Sequence, residues 1–289
     1  MKVLWLVFFT LGALGSFAQS ANFHSFRTQG GNMNPAMNVD KDDAQITYLW
    51  KLGPGSINYH LLQGSFSWKG VVFQTGIYRR YGAYYEDDRS MYIGVSKSFN
   101  MGALSKIGLG ANLRHNSPVE NGRYYDYECG TRLGPTKITV LDLGFRLKRK
   151  NMIWAVSINE IGYYTSFYLP YQSGLRSKSA SMSLFRTSRL SGIDLNYGVN
   201  LESGNGADFL ASALYRERLE MGTGLRVSVN HFGPARAKMS LGYRFNRLRL
   251  IYTHLFGSFA DDVSQPNEHE LGLTVSLHKK GNRSGFTMF

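Results

Sequence analysis

A chain of 289 residues with a formal charge of +13 is long enough for one large domain or two small ones. Its only cysteine, Cys129, excludes an intramolecular disulfide and reads as an incidental loop thiol. The 18 Tyr, 18 Phe, 4 Trp and 32 Gly against only 7 Pro do not suit an ordinary soluble α/β enzyme. They suit a transmembrane barrel, in which the outer face alone is apolar and aromatic girdles mark both interfaces.

The chain opens with Lys2, an apolar stretch over residues 3–14, and the small residues Ser16 and Ala18 ahead of Gln19. That is the layout of a secretory signal peptide, expected over 1–18. Beyond it no run of eighteen apolar residues occurs, so a spanning helix is excluded and a closed barrel is the remaining way to cross a bilayer. Export makes a nucleic-acid partner improbable. The positive charge is expected to line a lumen and to meet lipid phosphates, or to be solvated surface.

Residues 19–43 read as a periplasmic N-terminal segment containing Asn34-Pro35-Ala36, where Pro35 biases Asn34 toward an extended conformation and Asn34 can close a turn. From residue 44 to 289 the dominant signal is a period of two. Ile193, Leu195, Tyr197, Val199 and Leu201 alternate with Asp194, Asn196, Gly198, Asn200 and Glu202. Similar alternation runs through Leu141–Leu147, Leu225–Val229, Met239–Phe245 and Leu271–Leu277. Successive strand side chains point to opposite faces, so each stretch has one apolar face and one polar or tiny face.

The expected strands are 44–51, 56–66, 70–80, 90–100, 105–115, 137–147, 152–160, 180–187, 191–201, 207–216, 220–230, 236–246, 248–257 and 268–278. The fold class is therefore all-β, a transmembrane antiparallel up-and-down barrel of about fourteen strands in an outer membrane. Short turns near residues 68, 102, 149, 218 and 246 fall on one side. The long connections 81–89, 116–136, 161–179 and 258–267 fall on the other, the expected outside.

Tyr48, Trp50, Trp68, Tyr78, Tyr81, Tyr92, Trp154, Tyr163, Tyr164 and Tyr215 sit near strand ends and are expected in interface girdles. Arg114, Asp142, Arg146, Asp194, Arg226 and Arg244, with Glu202, are expected to line the lumen. They form either a self-neutralising network that braces the interior or a wall that attracts anions. Glu86-Asp87-Asp88 and Asp261-Asp262 read as solvated loop charge. His269-Glu270 opens HELGL, which is not the zinc motif HExxH because Leu273 stands where the second His is needed. His60 and His115 belong to no catalytic motif, and no phosphate loop is present. The expectation is a protein that is not an enzyme and has no cofactor and no metal.

The early Asn34-Pro35-Ala36 and the closing His269-Glu270-Leu271-Gly272-Leu273 strand resemble the PorP/SprF family of type IX secretion membrane proteins. The resemblance extends over the layout of the whole exported chain. It implies an outer-membrane barrel serving type IX protein secretion and gliding motility. Its partners would be outer-membrane lipid, a secreted client protein or surface adhesin, and periplasmic type IX components. Asn34, Pro35, Ala36, His269 and Glu270 are then the candidate binding residues. The competing expectation is a channel or transporter for a small or hydrophobic solute.

Overall fold

The computed structural model describes residues 34–38, 44–53, 57–82, 85–119, 138–164, 174–176, 179–203, 206–227, 235–260, 263–265 and 267–277. The expected signal peptide, Cys129 and Asp261-Asp262 lie outside these residues.

Seventeen strands follow in chain order. They are β1 (Ala44–Leu52), β2 (Asn58–Trp68), β3 (Val71–Gly82), β4 (Tyr85–Asn100), β5 (Ser105–Val119), β6 (Ile138–Arg149), β7 (Met152–Tyr164), β8 (Gly174–Arg176), β9 (Ser179–Leu190), β10 (Ile193–Glu202), β11 (Gly206–Tyr215), β12 (Leu219–Val227), β13 (Arg236–Phe245), β14 (Leu248–Leu255), β15 (Ser258–Ala260), β16 (Val263–Gln265) and β17 (Glu268–Leu277). Fourteen make the wall. Each pairs antiparallel with its neighbours, β6 joins β7, and β1 closes the cylinder on β17 from Ala44↔Leu277 to Leu52↔His269. β8 extends one edge of β7, and β15–β16 is a separate hairpin. Closure leaves no unpaired strand edge in the wall, the condition for placing a sheet in hydrocarbon.

The period of two decides which face is which. Ile93 is 64% exposed and Leu241 57%, whereas Asp142 is fully buried and Arg146 is 1% exposed. Such inversion is untenable in water and is expected of a barrel whose outer face meets lipid. Trp68, Phe99, Tyr215 and Phe245 border the apolar belt below, and Tyr48, Tyr81 and Tyr252 border it above. Two members of the expected girdle are corrected. Tyr92 and Tyr78 point inward, because Tyr92 alternates with the exposed Met91 and Ile93, and Tyr78 with the exposed Ile77 and Arg79.

The connections sort by length as expected. At the end holding residues 44 and 277 the strands are joined by residues 69–70, 101–104, 150–151, 191–192, 216–218 and 246–247. Lys69-Gly70 and Ser191-Gly192 both have positive φ throughout, the mirror-image turn that matches strand twist in a two-residue hairpin. One expected outside loop is corrected. Of residues 81–89 only 83–84 lie between strands, because β3 and β4 continue their pairing as far as Gly82↔Tyr85, which takes in Glu86, Asp87 and Asp88.

Part of the positive charge lies inside the barrel and part is exposed at one rim. Among the described residues the short-turn rim exposes Lys69, Lys97, Lys106, Arg149, Lys150, Arg186, Arg189, Arg216, Arg218 and Arg247, opposed by the exposed acid Glu217. Three of these cations lie over rim aromatics: Lys69 over Trp68, Lys97 over Phe99 and Arg216 over Tyr215, at 4.8, 5.5 and 5.0 Å.

Candidate functional site

Residues 34–38 are inside the barrel. Asn34 stands at the head of a short 3-10 turn, Pro35–Asn38, that packs on the inner faces of β4, β5, β6 and β7, and all five residues are buried. The expected periplasmic placement of 19–43 is therefore corrected for these five. The rest of that segment lies outside the described residues.

The turn holds itself and its seat together with few atoms. Asn34 Oδ1 accepts from Ala36 N at 2.9 Å, and the Asn34 carbonyl accepts from Met37 N at 3.0 Å. This local closure is what an Asn before Pro is suited to. Asn34 Nδ2 donates outward to the wall, to the carbonyls of Val156 (3.1 Å) and Phe145 (3.5 Å). Gln74 Nε2 donates to the Pro35 carbonyl at 3.2 Å and to Asn112 Oδ1 at 2.7 Å, while Gln74 Oε1 accepts from Asn38 Nδ2 at 2.7 Å. The room comes from glycine. A Cβ on Gly110 would stand 2.6 Å from Ala36 N, and one on Gly144 2.8 Å from the same atom. Gly110 and Gly144 are cross-strand partners, so together they form one shallow depression in the wall.

Met37 is the apolar end of the turn. It joins an inner cluster with Ile153, Ala155 and Phe185, against which Leu210 packs. A second inner apolar cluster is built on Leu49 and Leu61, with Tyr59 and Tyr78 beside them. The inward face is thus not uniformly polar, as the alternation suggested; it carries apolar islands.

The lumen-lining candidates all lie on inward faces. Arg114 donates to Asp142 Oδ2 through Nε (3.0 Å) and Nη2 (2.9 Å), with Tyr92 under its guanidinium at 5.2 Å. Asp142 Oδ1 also accepts from Glu160 N at 2.8 Å, where β7 bulges against β6 and Glu160 takes φ +54°. Arg146 is buried on β6, two residues from Gly144. Asp194 lies 3.6 Å from Arg189, and Arg244 lies 3.6 Å from Glu220. Arg226 faces inward between Asp208 and Arg236 in the strand register.

Pairing across the wall brings further charged residues together. Glu268 receives Lys51 at 2.8 Å and Arg236 at 2.6 Å; Lys238 meets Asp208 at 2.8 Å; Arg249 grips Glu220 through two contacts of 2.8 and 3.0 Å. On this side of the barrel the inward cations Lys51, Arg226, Arg236, Lys238, Arg244 and Arg249 face the inward acids Asp194, Glu202, Asp208, Glu220, Glu268 and Glu270. The ion pairs among these described residues favour the bracing network over an anion-attracting wall. The signal for these residues was available in the alternation, since Glu268 and Glu270 bracket His269 and Arg249 stands between Leu248 and Leu250.

The five candidate binding residues do not meet in one place. Asn34, Pro35 and Ala36 lie in the buried turn on β4–β7 and Glu270 is buried in the opposite inner wall, while His269 faces outward.

No protein-family model and no curated protein sequence matches the chain. Solved structures do. Acinetobacter baumannii outer membrane protein Omp33 superposes with a TM-score of 0.52 at 8% identity, covering 81% of this chain and 98% of that one. A deltaS2 mutant of the TodX monoaromatic hydrocarbon channel gives 0.50 at 10% identity, with coverages of 84% and 92%. A Pseudomonas aeruginosa FadL homologue gives 0.49 at 13% identity, with coverages of 93% and 98%. The fold is that of outer-membrane barrels. With the lipid-facing belt, it places this chain in an outer membrane.

Proposed function

We propose that this barrel is a gated channel for a small, largely apolar solute, closed at rest by residues 34–38. The observation that carries the reading is the seat of that segment: a short turn held by a handful of hydrogen bonds, with Met37 resting on Ile153, Ala155 and Phe185 inside a closed wall. Displacing Met37 would uncover an apolar patch facing the lumen, the kind of surface that takes an apolar molecule with few polar contacts. A monoaromatic hydrocarbon channel is among the barrels of similar fold, and it is a use of the same class.

The resemblance to the PorP/SprF family supports another reading, a type IX secretion accessory with a secreted client or adhesin as partner. On that reading Asn34-Pro35-Ala36 serves the barrel itself, and partner contact falls on other surfaces.

The experiment compares the intact protein with a variant lacking residues 34–38 and with Asn34→Ala, each in liposomes loaded for solute-entry measurements. The channel reading expects slow entry of aromatic and aliphatic probes into wild-type vesicles and faster entry with either variant. Entry unchanged by both variants sinks it. A deletion strain that keeps solute uptake but loses surface display of one large secreted protein supports the secretion reading instead.

A further inference from the structure

On the outer face, at the long-connection rim, β14 and β17 bring three donor atoms to one point. His254 and His269 are direct cross-strand partners, and their Nδ1 atoms are 3.3 Å apart. Tyr252 Oη lies 2.7 Å from His269 Nδ1 and 3.5 Å from His254 Nδ1. We propose that Tyr252, His254 and His269 form a binding site for a divalent transition metal ion of the zinc or copper class.

The distances carry the argument. Zinc–imidazole bonds of about 2.0–2.1 Å at a tetrahedral angle place two ligand nitrogens about 3.4 Å apart. The observed separation is the same within 0.1 Å. The Tyr252 Oη–His269 Nδ1 contact of 2.7 Å is itself a hydrogen bond, shorter than the separation of two ligands on one tetrahedral ion, so Tyr252 must draw back as the ion enters. An imidazole Nδ1 offers either one lone pair or one N–H, so His269 Nδ1 can make one good hydrogen bond but has two neighbours in range. A metal ion engages all three lone pairs together. Binding needs both Nδ1 atoms unprotonated and the Tyr252 phenol ionised, so the phenol proton passes to solvent as the oxygen–metal bond forms.

The surroundings support the assignment. The His254 ring is held edge-on against Phe256 at 4.5 Å between centroids, which orients its Nδ1 side. Both histidines are half-buried at the rim, not at mid-membrane, so an ion can enter from water. Imidazole suits zinc and copper and, with oxygen as the third donor, favours copper over zinc by the usual affinity order. The described histidine His60 on the same rim serves as contrast. Its two nitrogens contact Tyr48 Oη at 2.6 Å and Tyr81 Oη at 3.0 Å on opposite ring edges, so its donors do not converge.

The test uses the untagged full barrel in detergent, stripped with chelator and titrated with zinc and with copper. One ion per barrel is expected. His254→Ala and His269→Ala should each weaken binding by at least about tenfold, since even loss of an outer-shell partner costs about 10- to 100-fold. His60→Ala should leave it unchanged. Tyr252→Phe should bind more weakly and release fewer protons. Should a variant fail to fold, copper electron paramagnetic resonance on the wild-type protein decides, with two coordinated nitrogens expected. No binding beyond that of the His254→Ala/His269→Ala double variant, equal loss with His60→Ala, or a spectrum with any other nitrogen count overturns the site.

Discussion

Pro35 occupies the space that Gly110 leaves empty. A Cβ built on Gly110 would stand 2.6 Å from the Pro35 carbonyl oxygen, inside the distance real side chains tolerate. The Pro35–Asn38 turn therefore depends on an absent side chain in the middle of β5.

Gly110→Ala should destabilise the folded barrel by about 1–3 kcal/mol, the usual range for forcing extra carbon into a packed site. Gly64→Ala is the control, since its Cβ would meet only ordinary contacts at 3.8 Å and beyond. In a protein lacking residues 34–38 the Gly110→Ala penalty should largely vanish, because residues in contact couple and distant ones do not. Urea unfolding of the four proteins in detergent measures this cycle; a penalty that persists without residues 34–38 would mean that the seat is occupied by something else.

Glu268 is the shared acceptor of Lys51 and Arg236, and all three side chains are at most 10% exposed. Glu268→Gln keeps the shape and removes the charge, leaving two buried cations facing each other. Its expected cost is about 3–5 kcal/mol, as for breaking a buried pair from one side. Adding Lys51→Met and Arg236→Met should restore most of the loss, which thermal unfolding of the single and triple variants would read. Equal instability in both would show that the charges are not the cause.

The wall was legible in the sequence and the lumen only partly so. Alternation such as Leu195-Asn196-Tyr197 depends on neighbouring residues alone, so all fourteen wall strands follow from it. The bridge between Lys51 and Glu268 depends on β1 meeting β17, and the register that joins residues so far apart is a property of closure, not of either segment. The seat of residues 34–38 was hidden for a different reason. Asn34-Pro35-Ala36 announces a turn, but its destination is encoded by Gly110 and Gly144, which read as members of a tiny face. Tyr92 was misplaced because residue type outweighed the parity set by Met91 and Ile93. The extension of β3 and β4 beyond the belt was missed because polar strand ends resemble loops in composition.

A protease site inserted at the Lys150–Asn151 turn should be protected on intact cells, and one inserted within residues 120–137 should be cut. Short turns face the periplasm and long connections the outside in barrels of this kind. Cleavage at Lys150–Asn151 on intact cells with protection of the other site would invert the orientation, and would put the basic rim on the cell surface.

The outward face makes the most general demand. Ile93 and Leu241 are exposed at mid-strand, whereas Trp68 is exposed at the girdle. If lipid covers this face, the cost of arginine must depend on depth, at about 2–4 kcal/mol near the midplane and about 0–1 near the interface. Ile93→Arg and Leu241→Arg should therefore impair assembly strongly and Trp68→Arg only slightly, measured by heat-modifiable migration and by folding yield into vesicles. Ile93→Leu, which keeps the apolar surface, should assemble as the wild type does. A soluble β-cylinder would instead be improved by charge at all three places. Equal damage at Trp68 and Ile93 would argue for a protein partner covering the wall, because only a bilayer grades the penalty by height.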